Sequence, residues 1–344
     1  MGVSTSQRRS LLTAAIIGGV LSLVILLGTA TLLSDSRGDV DKLAYGDGLL
    51  YRYAAANLST PTEELDPIFV TRGTALRFGR IGLPATMWAL AGGKEAALPF
   101  AQAAIMVASG ATAAMACSAL FPRAGPPAAL IPFLIPGFAL AVSGGYAEAP
   151  AAAAALLGLW ALQRGRIWMC MIGLAFAMLS RENAAASIVG VVALQVLRRN
   201  HGAAARITLA FVPALLWYSF VWLRWGTFPP LDPYLRDNET VGPPVLALVK
   251  SLTQPATSGA LLLCLIHVGI WILVIWLAAT KRTAWAIIAS VVGLQLLVSG
   301  PFAWTFLGDG TRTSVFLELT AILAILATIR PAWLPTKDLE HSSP

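Results

Sequence analysis

Long apolar segments alternate with short polar ones along almost the whole chain of 344 residues. An α-helix needs roughly 17–25 predominantly apolar residues to cross a bilayer, and ten segments are candidates. The predicted spans are 11–33, 96–120, 127–143, 148–163, 166–180, 184–198, 207–223, 258–279, 283–300 and 313–330. The pattern therefore predicts an all-α polytopic membrane protein with about ten transmembrane helices.

One apolar segment, IGLPATMWALA at 81–91, does not fit this series. It is too short to span, contains Pro84 and follows Arg77 and Arg80. Irregular backbone at bilayer depth must be buried in protein, so we expect a juxtamembrane or re-entrant helix on the outer side.

The charge distribution indicates the orientation. With ten spans, 12 of the 24 lysines and arginines fall on inner termini and loops, as the positive-inside rule expects, beside only two acids, Asp338 and Glu340. The first span follows Arg8 and Arg9 and is expected to be a retained signal-anchor. These features predict one integral-membrane domain, residues 1–344, multi-pass in the cell inner (plasma) membrane with both termini cytoplasmic. Two outer segments, 34–95 and 224–258, predict function on the periplasmic or extracellular side.

The composition agrees with lipid as the main solvent. The chain is 57% hydrophobic and 12% charged, whereas soluble domains carry about 25% charged residues. The basic excess is better explained by inner loops facing anionic lipid than by nucleic acid. Cys117, Cys170 and Cys264 lie in apolar segments and are expected to be core residues rather than disulfide partners or ligands.

Asp47 is the leading candidate for chemistry. It stands between Gly46 and Gly48 at the start of a predicted short helix, with Tyr51 one turn on. Glycines let a backbone approach a ligand closely, and a carboxylate at the membrane surface can act as general base on a hydroxyl. The alternative is an ordinary loop turn, since Asp-Gly is common turn chemistry.

Charged residues recur at the other predicted outer turns. Arg77 and Arg80 lie one turn apart, and arginine forks suit phosphate oxygens; the alternative is snorkelling to ordinary lipid headgroups. Glu148 lies where the third predicted span turns into the fourth, and Arg181 and Glu182 lie at the next outer turn. Ionisable residues in such places favour a functional role, and the alternative is an Arg–Glu pair that clamps two helices.

The last outer turn contains Asp309 and Arg312, and Arg312 begins the final span, where a cation reaches a lipid phosphate. An outer-loop charge pair is the alternative. His267 lies mid-span and is expected to be a satisfied core histidine. The sequence contains no metal-ligand pair, phosphate-binding loop or dinucleotide fingerprint, so no metal and no cofactor is expected.

The second outer segment is expected to be mostly solvated loop. Its polar side chains are Arg224, Asp232, Tyr234, Arg236, Asp237 and Glu239. Its three prolines, Pro229, Pro230 and Pro233, stiffen the segment and suit it to act as a lid.

The order of these motifs resembles a bacterial group of integral-membrane proteins in the GT-C glycosyltransferase superfamily. That group has an early Tyr-Asp-Gly…Tyr-Tyr motif, an Arg-Tyr-x-Arg-Ile-x-x-Pro helix, an outer turn with an acid and a Leu-x-Arg-Glu turn. The corresponding stretches are YGDGLLYRYA (45–54), LRFGRIGLPATMWALAG (76–92), SGGYAEAP (143–150) and LSRENAA (179–185), followed by LRWGTFP (223–229) and GDGTR (308–312). Gly46 departs from the pattern by separating Tyr45 from Asp47.

The resemblance implies a GT-C-like enzyme that moves a sugar from a polyprenyl-phosphate donor to an acceptor hydroxyl of a glycolipid, polysaccharide or protein. It implies Asp47 as the base and Arg80, Arg181, Arg312 and Arg77 as ligands of the donor phosphate. Tyr51, Glu148, Glu182 and Asp309 are then expected to contact substrate. A single base opposite the leaving phosphate inverts the anomeric centre.

Two other functions fit the sequence. A transporter or flippase of a lipid-linked or anionic substrate would place charges near the bilayer midplane or in broken helices of matching halves. A non-catalytic membrane scaffold would keep the fold without the chemistry. Convergence of the arginines and Asp47 on one outward site would favour the enzyme, and a path through the membrane would favour transport.

Overall fold

A computed structural model describes residues 5–32, 44, 46–60, 64–65, 74–122, 124, 126–232, 245–255, 257–281, 283–298 and 315–329, which are helical and contain no strand. The α-helices are α1 (Thr5–Leu32), α2 (Asp47–Ala56), α3 (Thr74–Gly79), α4 (Gly82–Leu90), α5 (Leu98–Leu120), α6 (Pro136–Gly144), α7 (Glu148–Gln163), α8 (Ile167–Ser180), α9 (Ala185–Leu197), α10 (His201–Thr208), α11 (Phe211–Trp225), α12 (Leu246–Thr253), α13 (Ser258–Lys281), α14 (Ala284–Val292) and α15 (Val315–Ile329). Short 3₁₀ helices occupy Glu95–Ala97, Pro126–Leu134, Glu182–Ala184, Pro229–Leu231 and Gly293–Val298.

Several of these helices can cross a membrane. Four helical segments in the described ranges are long and apolar enough: Thr5–Thr31, Glu95–Leu120, His201–Trp225 and Ser258–Lys281. Pro127–Leu134 and Pro136–Gly144, bent by 78°, make a fifth if they form one span. The chain thus has the helices of a multi-pass membrane protein, with four or five candidate spans.

The remaining apolar helices are shorter, at 10–17 residues: Ile167–Ser180, Glu182–Leu197, Ala284–Leu297 and Val315–Thr328. A hydrocarbon core of about 30 Å calls for a helix of about 20 residues. The total of about ten spans therefore stays a prediction.

Three α-helices coincide closely with predicted spans. α5, α7 and α8 match the predicted spans 96–120, 148–163 and 166–180 to within two residues at each end. The apolar segment 81–91, which is too short to span a bilayer, forms the short helix α4. This helix packs on α2, α5 and α8.

Small residues let neighbouring helices approach closely. A β-carbon on Gly18 of α1 would overlap the Gly110 carbonyl and the Ala114 side chain of α5. A β-carbon on Gly173 of α8 would likewise crowd Gly158 and the Ala154 carbonyl of α7. Such small-residue interfaces are typical of membrane helices, which lack a hydrophobic drive toward one another in lipid.

The cysteines have the predicted core role. Cys117, Cys170 and Cys264 are free, and the structure buries all three.

Three short helices lie against the longer ones between residues 47 and 90. α2 packs on α4 and α5, α3 packs on α11 and on the Pro229–Leu231 turn, and α4 packs on α5 and α8. This packing brings α2 and α3 to the start of α7 and to the turn between α8 and α9, where the predicted site residues lie.

Candidate functional site

Asp47 is the first residue of α2 and forms an ion pair. Its Oδ1 accepts a hydrogen bond from Arg77 Nη2 of α3 at 2.8 Å. A carboxylate in the first turn also interacts favourably with the positive end of the helix dipole. The Asp47 side chain is 25% exposed, whereas that of Arg77 is 5% exposed, so the carboxylate is the accessible member of the pair.

The two glycines beside Asp47 serve packing. Gly46 adopts a left-handed φ of 53° beside the Tyr146 hydroxyl, a conformation that glycine adopts at little cost. A β-carbon on Gly48 would overlap the Gly144 carbonyl. The flanking glycines therefore bring α2 against the 144–146 turn, which corrects the expectation that they admit a ligand to the backbone.

Arg80 is the centre of a second group of contacts. Its Nε and Nη2 donate to the two carboxylate oxygens of Glu182, at 2.7 and 2.5 Å. Its Nη1 donates to the Tyr51 hydroxyl at 2.9 Å. Arg80 is buried, and the bidentate fork is the strongest geometry available to an Arg–carboxylate pair.

Mutual attraction keeps Arg80 and Glu182 charged. Burial works to raise the pKa of Glu182, but the charges of Arg80 and Arg181 and the Arg80 hydrogen bond lower that pKa well below its usual range. Burial also works to lower the pKa of Arg80, but the Glu182 charge raises it above its usual value. The pair is ionised throughout the physiological pH range.

Arg181 extends the group to the start of α7. Its Nη2 lies 3.3 Å from Glu148 Oε1, and its Nη1 lies 3.9 Å from Glu182 Oε1. Glu148 is fully buried, so in this conformation it contacts Arg181 rather than the exterior. Neither Nε nor Nη1 of Arg181 makes a hydrogen bond to any residue in the described ranges, so this buried guanidinium has donors to spare.

Seven of the nine predicted site residues lie in two groups, which are together called here the ionic cluster. Asp47 pairs with Arg77, and the second group consists of Tyr51, Arg80, Glu148, Arg181 and Glu182. α2 carries a member of each group, Asp47 and Tyr51. The other two, Asp309 and Arg312, lie outside the described residues.

Gln102 of α5 also belongs to the site, although the sequence analysis did not predict it. Its amide nitrogen donates to the Gly48 and Gly145 carbonyls at 3.1 and 2.7 Å, and its Oε1 accepts from Arg52 Nε at 2.5 Å. One buried side chain thus joins the residue after Asp47 to the turn before Glu148. A polar residue inside a predicted span was the available signal, because such residues must find partners.

The start of the second outer segment is docked rather than solvated. Asp232 Oδ2 accepts from Leu76 N of α3 at 3.0 Å and Asp232 is buried. Arg224 donates to the Leu58 carbonyl at 2.9 Å and to the Thr60 carbonyl. The solvated-loop expectation was therefore wrong for Arg224 and Asp232, since each satisfies backbone groups of the first outer segment. The other polar residues named for this loop, Tyr234, Arg236, Asp237 and Glu239, lie outside the described residues, as does Pro233.

The docked turn covers part of the cluster. Pro229 and Pro230 line a crevice together with Leu76, Gly79, Arg80, Glu182 and Tyr218. The crevice is too narrow to hold the centre of a water molecule. The prolines of the Pro229–Leu231 turn therefore lie against Arg80 and Glu182, in the segment for which the sequence predicted a lid.

Within the part of the chain that the structure describes, no three His, Cys, Asp or Glu side chains are grouped to hold a metal ion. Comparison with known proteins found no matching protein-family model, no matching curated protein and no matching solved structure. The resemblance to the GT-C superfamily therefore depends on the sequence motifs.

Proposed function

We propose that the protein is a GT-C-type membrane glycosyltransferase that moves a sugar from a polyprenyl-phosphate donor to an acceptor hydroxyl at the outer membrane face. The observation that carries this proposal is the ionic cluster. Segments at residues 47–51, 77–80, 148 and 181–182, far apart in the sequence, form one Arg–Asp ion pair and a second group of two arginines and two glutamates, and the first two segments each contribute to both. Ionisable residues are costly among apolar helices, and their convergence favours function.

Asp47 is the general base in this proposal because it is the accessible carboxylate of the cluster. It takes the proton of the acceptor hydroxyl as the acceptor oxygen attacks the anomeric carbon. The bond from that carbon to the phosphate oxygen breaks, and polyprenyl phosphate leaves with the electron pair. Attack opposite the leaving group inverts the anomeric centre. Arg77 orients the carboxylate through the 2.8 Å ion pair.

Arg181 and Arg80 have different roles in this proposal. Arg181 is the ligand of the donor phosphate, since its Nε and Nη1 have no hydrogen-bond partner among the described residues. Arg80 engages Glu182 and Tyr51 with all three of its nitrogens. It therefore holds the site together until displacement of the Pro229–Leu231 turn lets a phosphate compete with Glu182. Fixed positive charge beside the leaving phosphate offsets its growing negative charge.

The proposal includes the membrane arrangement that the charge distribution predicts. The chain has about ten spans in the bacterial inner membrane, both termini are cytoplasmic and the cluster faces the periplasm or exterior. The donor is supplied by the lipid phase, and no cofactor takes part.

The test is turnover by the purified full-length protein with a panel of radiolabelled polyprenyl-phosphate sugars and a membrane lipid extract. Wild type should release polyprenyl phosphate, and Asp47→Asn should lower kcat at least about 100-fold, the usual contribution of general base catalysis. Donor binding should persist in Asp47→Asn and weaken in Arg181→Gln, because only the second removes a phosphate ligand.

Glu95→Gln is the matched control, since Glu95 is an exposed carboxylate of the same outer segment. Full activity of Asp47→Asn would overturn the assignment of the base. If the folded protein shows no turnover with any donor, the proposal that it is a glycosyltransferase is wrong.

Transport of a lipid-linked or anionic substrate is the second candidate. The observation that favours it is a buried pair, His267 and Glu318, 2.7 Å apart between α13 and α15, because ionisable residues inside apolar helices are typical of transport pathways. Passage of labelled donor into sealed proteoliposomes, without release of polyprenyl phosphate, would favour transport over transfer.

A further inference from the structure

Three helices run away from the ionic cluster, and their far ends carry arginines. α7 begins at Glu148, α8 ends immediately before Arg181, and α9 begins shortly after Glu182. At a rise of about 1.5 Å per residue, the other ends of these helices lie about 20 Å from the cluster. The turns at those ends carry four exposed arginines that form no ion pair with any described residue: Arg164, Arg166, Arg198 and Arg199.

The α7–α8 turn (residues 164–166) and the α9–α10 turn (residues 198–200) have the same backbone geometry. In each, the amide of the middle residue donates to the carbonyl three residues earlier, and the amide of the last residue donates to the carbonyl five residues earlier, at 2.8–2.9 Å. These are the two hydrogen bonds of a Schellman motif. The middle residue has a left-handed φ, 70° at Gly165 and 58° at Arg199.

Arg199 occupies a position that favours glycine. A side chain in the left-handed region costs free energy that glycine avoids, and the matching turn has Gly165 in this position. The Arg199 side chain is exposed and makes no ion pair within the described ranges, so it returns no such stabilisation to the fold. Residues in this backbone conformation are concentrated at functional sites. An arginine here therefore indicates a ligand outside the chain.

Two tryptophan rings hold arginines at this end of the helices without neutralising them. The guanidinium carbon of Arg164 lies 5.5 Å from the centre of the Trp160 ring, and that of Arg206 lies 5.8 Å from the Trp168 ring. A ring attracts the cation but carries no net charge. Trp168 lies at the start of α8 and Arg206 lies on α10, which packs on α8. This packing places both turns at the same end of the helices.

We propose that the arginine face, which consists of the two turns and Arg206, binds an anionic phospholipid with two phosphate groups on the side of the membrane opposite the ionic cluster. Each turn offers two guanidinium groups to one phosphate, and guanidinium forks suit phosphate oxygens. Between residues 149 and 231 the one acid is Glu182, which belongs to the cluster. The arginine face is therefore complementary in charge to an anionic headgroup.

Exposed apolar side chains beside the turns favour a lipid over a soluble anion. Trp168 and Leu197 are 53% and 66% exposed, and each lies within two residues of an arginine of the arginine face. The acyl chains of a bound lipid cover such side chains, whereas a soluble phosphate leaves them in contact with water. This inference does not depend on glycosyl transfer, because it concerns lipid binding at the other end of the helices.

The first experiment is native mass spectrometry of the full-length protein in detergent with added diphosphatidylglycerol, phosphatidylglycerol or zwitterionic phosphatidylethanolamine. Wild type should bind one diphosphatidylglycerol more tightly than either other lipid. The double variant Arg198→Gln with Arg199→Gln should weaken this binding about 25-fold, because each basic residue near anionic lipid contributes a factor of about five.

Arg8→Gln with Arg9→Gln is the matched control, since it removes the same charge from the start of α1. Ser10 of α1 and Ser118 of α5 line one cavity, so α1 begins at the same end of the helices as the arginine face. The control should keep most of the affinity of wild type. Equal weakening by the two double variants, equal affinity for diphosphatidylglycerol and phosphatidylglycerol, or displacement of the lipid by inorganic phosphate at a similar concentration would each overturn the proposal.

The second experiment separates binding from stability at one residue. Arg199→Gly removes the charge and supplies the residue that a φ of 58° favours, so it should raise the melting temperature in lipid-free detergent and weaken diphosphatidylglycerol binding about fivefold. Arg199→Lys should keep the melting temperature and most of the affinity. Because the glycine variant is the more stable one, unfolding cannot explain its loss of binding. An unchanged lipid affinity in Arg199→Gly would contradict the proposal.

Discussion

The ionic cluster and the His267–Glu318 pair both bury charge among apolar helices, but they differ in the basic residue. The cluster uses Arg80 and Arg181, whose guanidinium groups stay protonated. The pair uses a histidine, whose Nε2 lies 2.7 Å from the Glu318 carboxylate. The first region is therefore suited to holding an anion, whereas the second region joins α13 to α15.

The two regions also differ in packing. Beside the cluster, Gly48, Gly144 and Gly145 leave no room for a β-carbon, whereas Gly269, which is exposed on α13, has no atom within 4 Å of such a position. α2 is therefore held close to the 144–145 turn, and the exposed face of α13 at Gly269 has no described neighbour.

The largest effect is expected when the cluster loses one partner. Arg80→Met leaves Glu182 without its bidentate partner and should destabilise the protein by about 3–5 kcal/mol. The value should fall toward the lower limit because one fifth of the Glu182 side chain is exposed. Chemical unfolding in detergent measures the change. The double variant Arg80→Met with Glu182→Leu should recover most of it, and a double variant as unstable as the single one would contradict an ionic origin.

A smaller effect is expected from the packing difference. Gly48→Ala inserts a β-carbon against the Gly144 carbonyl and should cost about 1–3 kcal/mol, as overpacking does. Gly269→Ala is the matched control and should be neutral or stabilising by up to about 1 kcal/mol, since alanine favours a helix interior. Melting temperatures of the two variants test the comparison, and equal effects would contradict the close packing of Gly48 against the Gly144 carbonyl.

The smallest expected change is in the pH dependence of the destabilisation caused by Glu182→Gln, which should be close to zero. The pKa of Glu182 is lowered, so its stabilisation is fully present above the unfolded value of about 4.3 and is lost only as pH falls through the lower folded value. Glu182→Gln should therefore destabilise the protein by the same amount at about pH 5.5 and at about pH 8. A pH-dependent cost for Glu182→Gln would contradict the lowered pKa of Glu182 in the folded protein.

The sequence predicted much of the helical framework and of the ionic cluster. Apolar segment lengths placed α5, α7 and α8 within two residues of their observed ends. The rarity of charge among apolar helices singled out Asp47, Arg80 and Glu182 before any contact was known. The sequence did not indicate which carboxylate pairs with which arginine, because that depends on how the helix ends meet.

Other features came from the tertiary structure alone. The role of Gln102, the docking of Asp232 on α3 and the packing role of Gly48 each involve partners more than 40 residues away. Hydropathy describes how a segment partitions between water and lipid but does not say which of its faces meets another helix.

The sequence by itself determined that this chain enters a membrane as helices and that its scarce charges are concentrated in a few short segments. That information is local, since it depends on the apolar length of each segment and on the cost of charge in lipid. Only the tertiary structure showed that Arg80 pairs with Glu182, that two nitrogens of Arg181 make no hydrogen bond to the described residues and that His267 contacts Glu318. Those outcomes depend on distances between side chains of different helices, which packing sets and hydropathy does not.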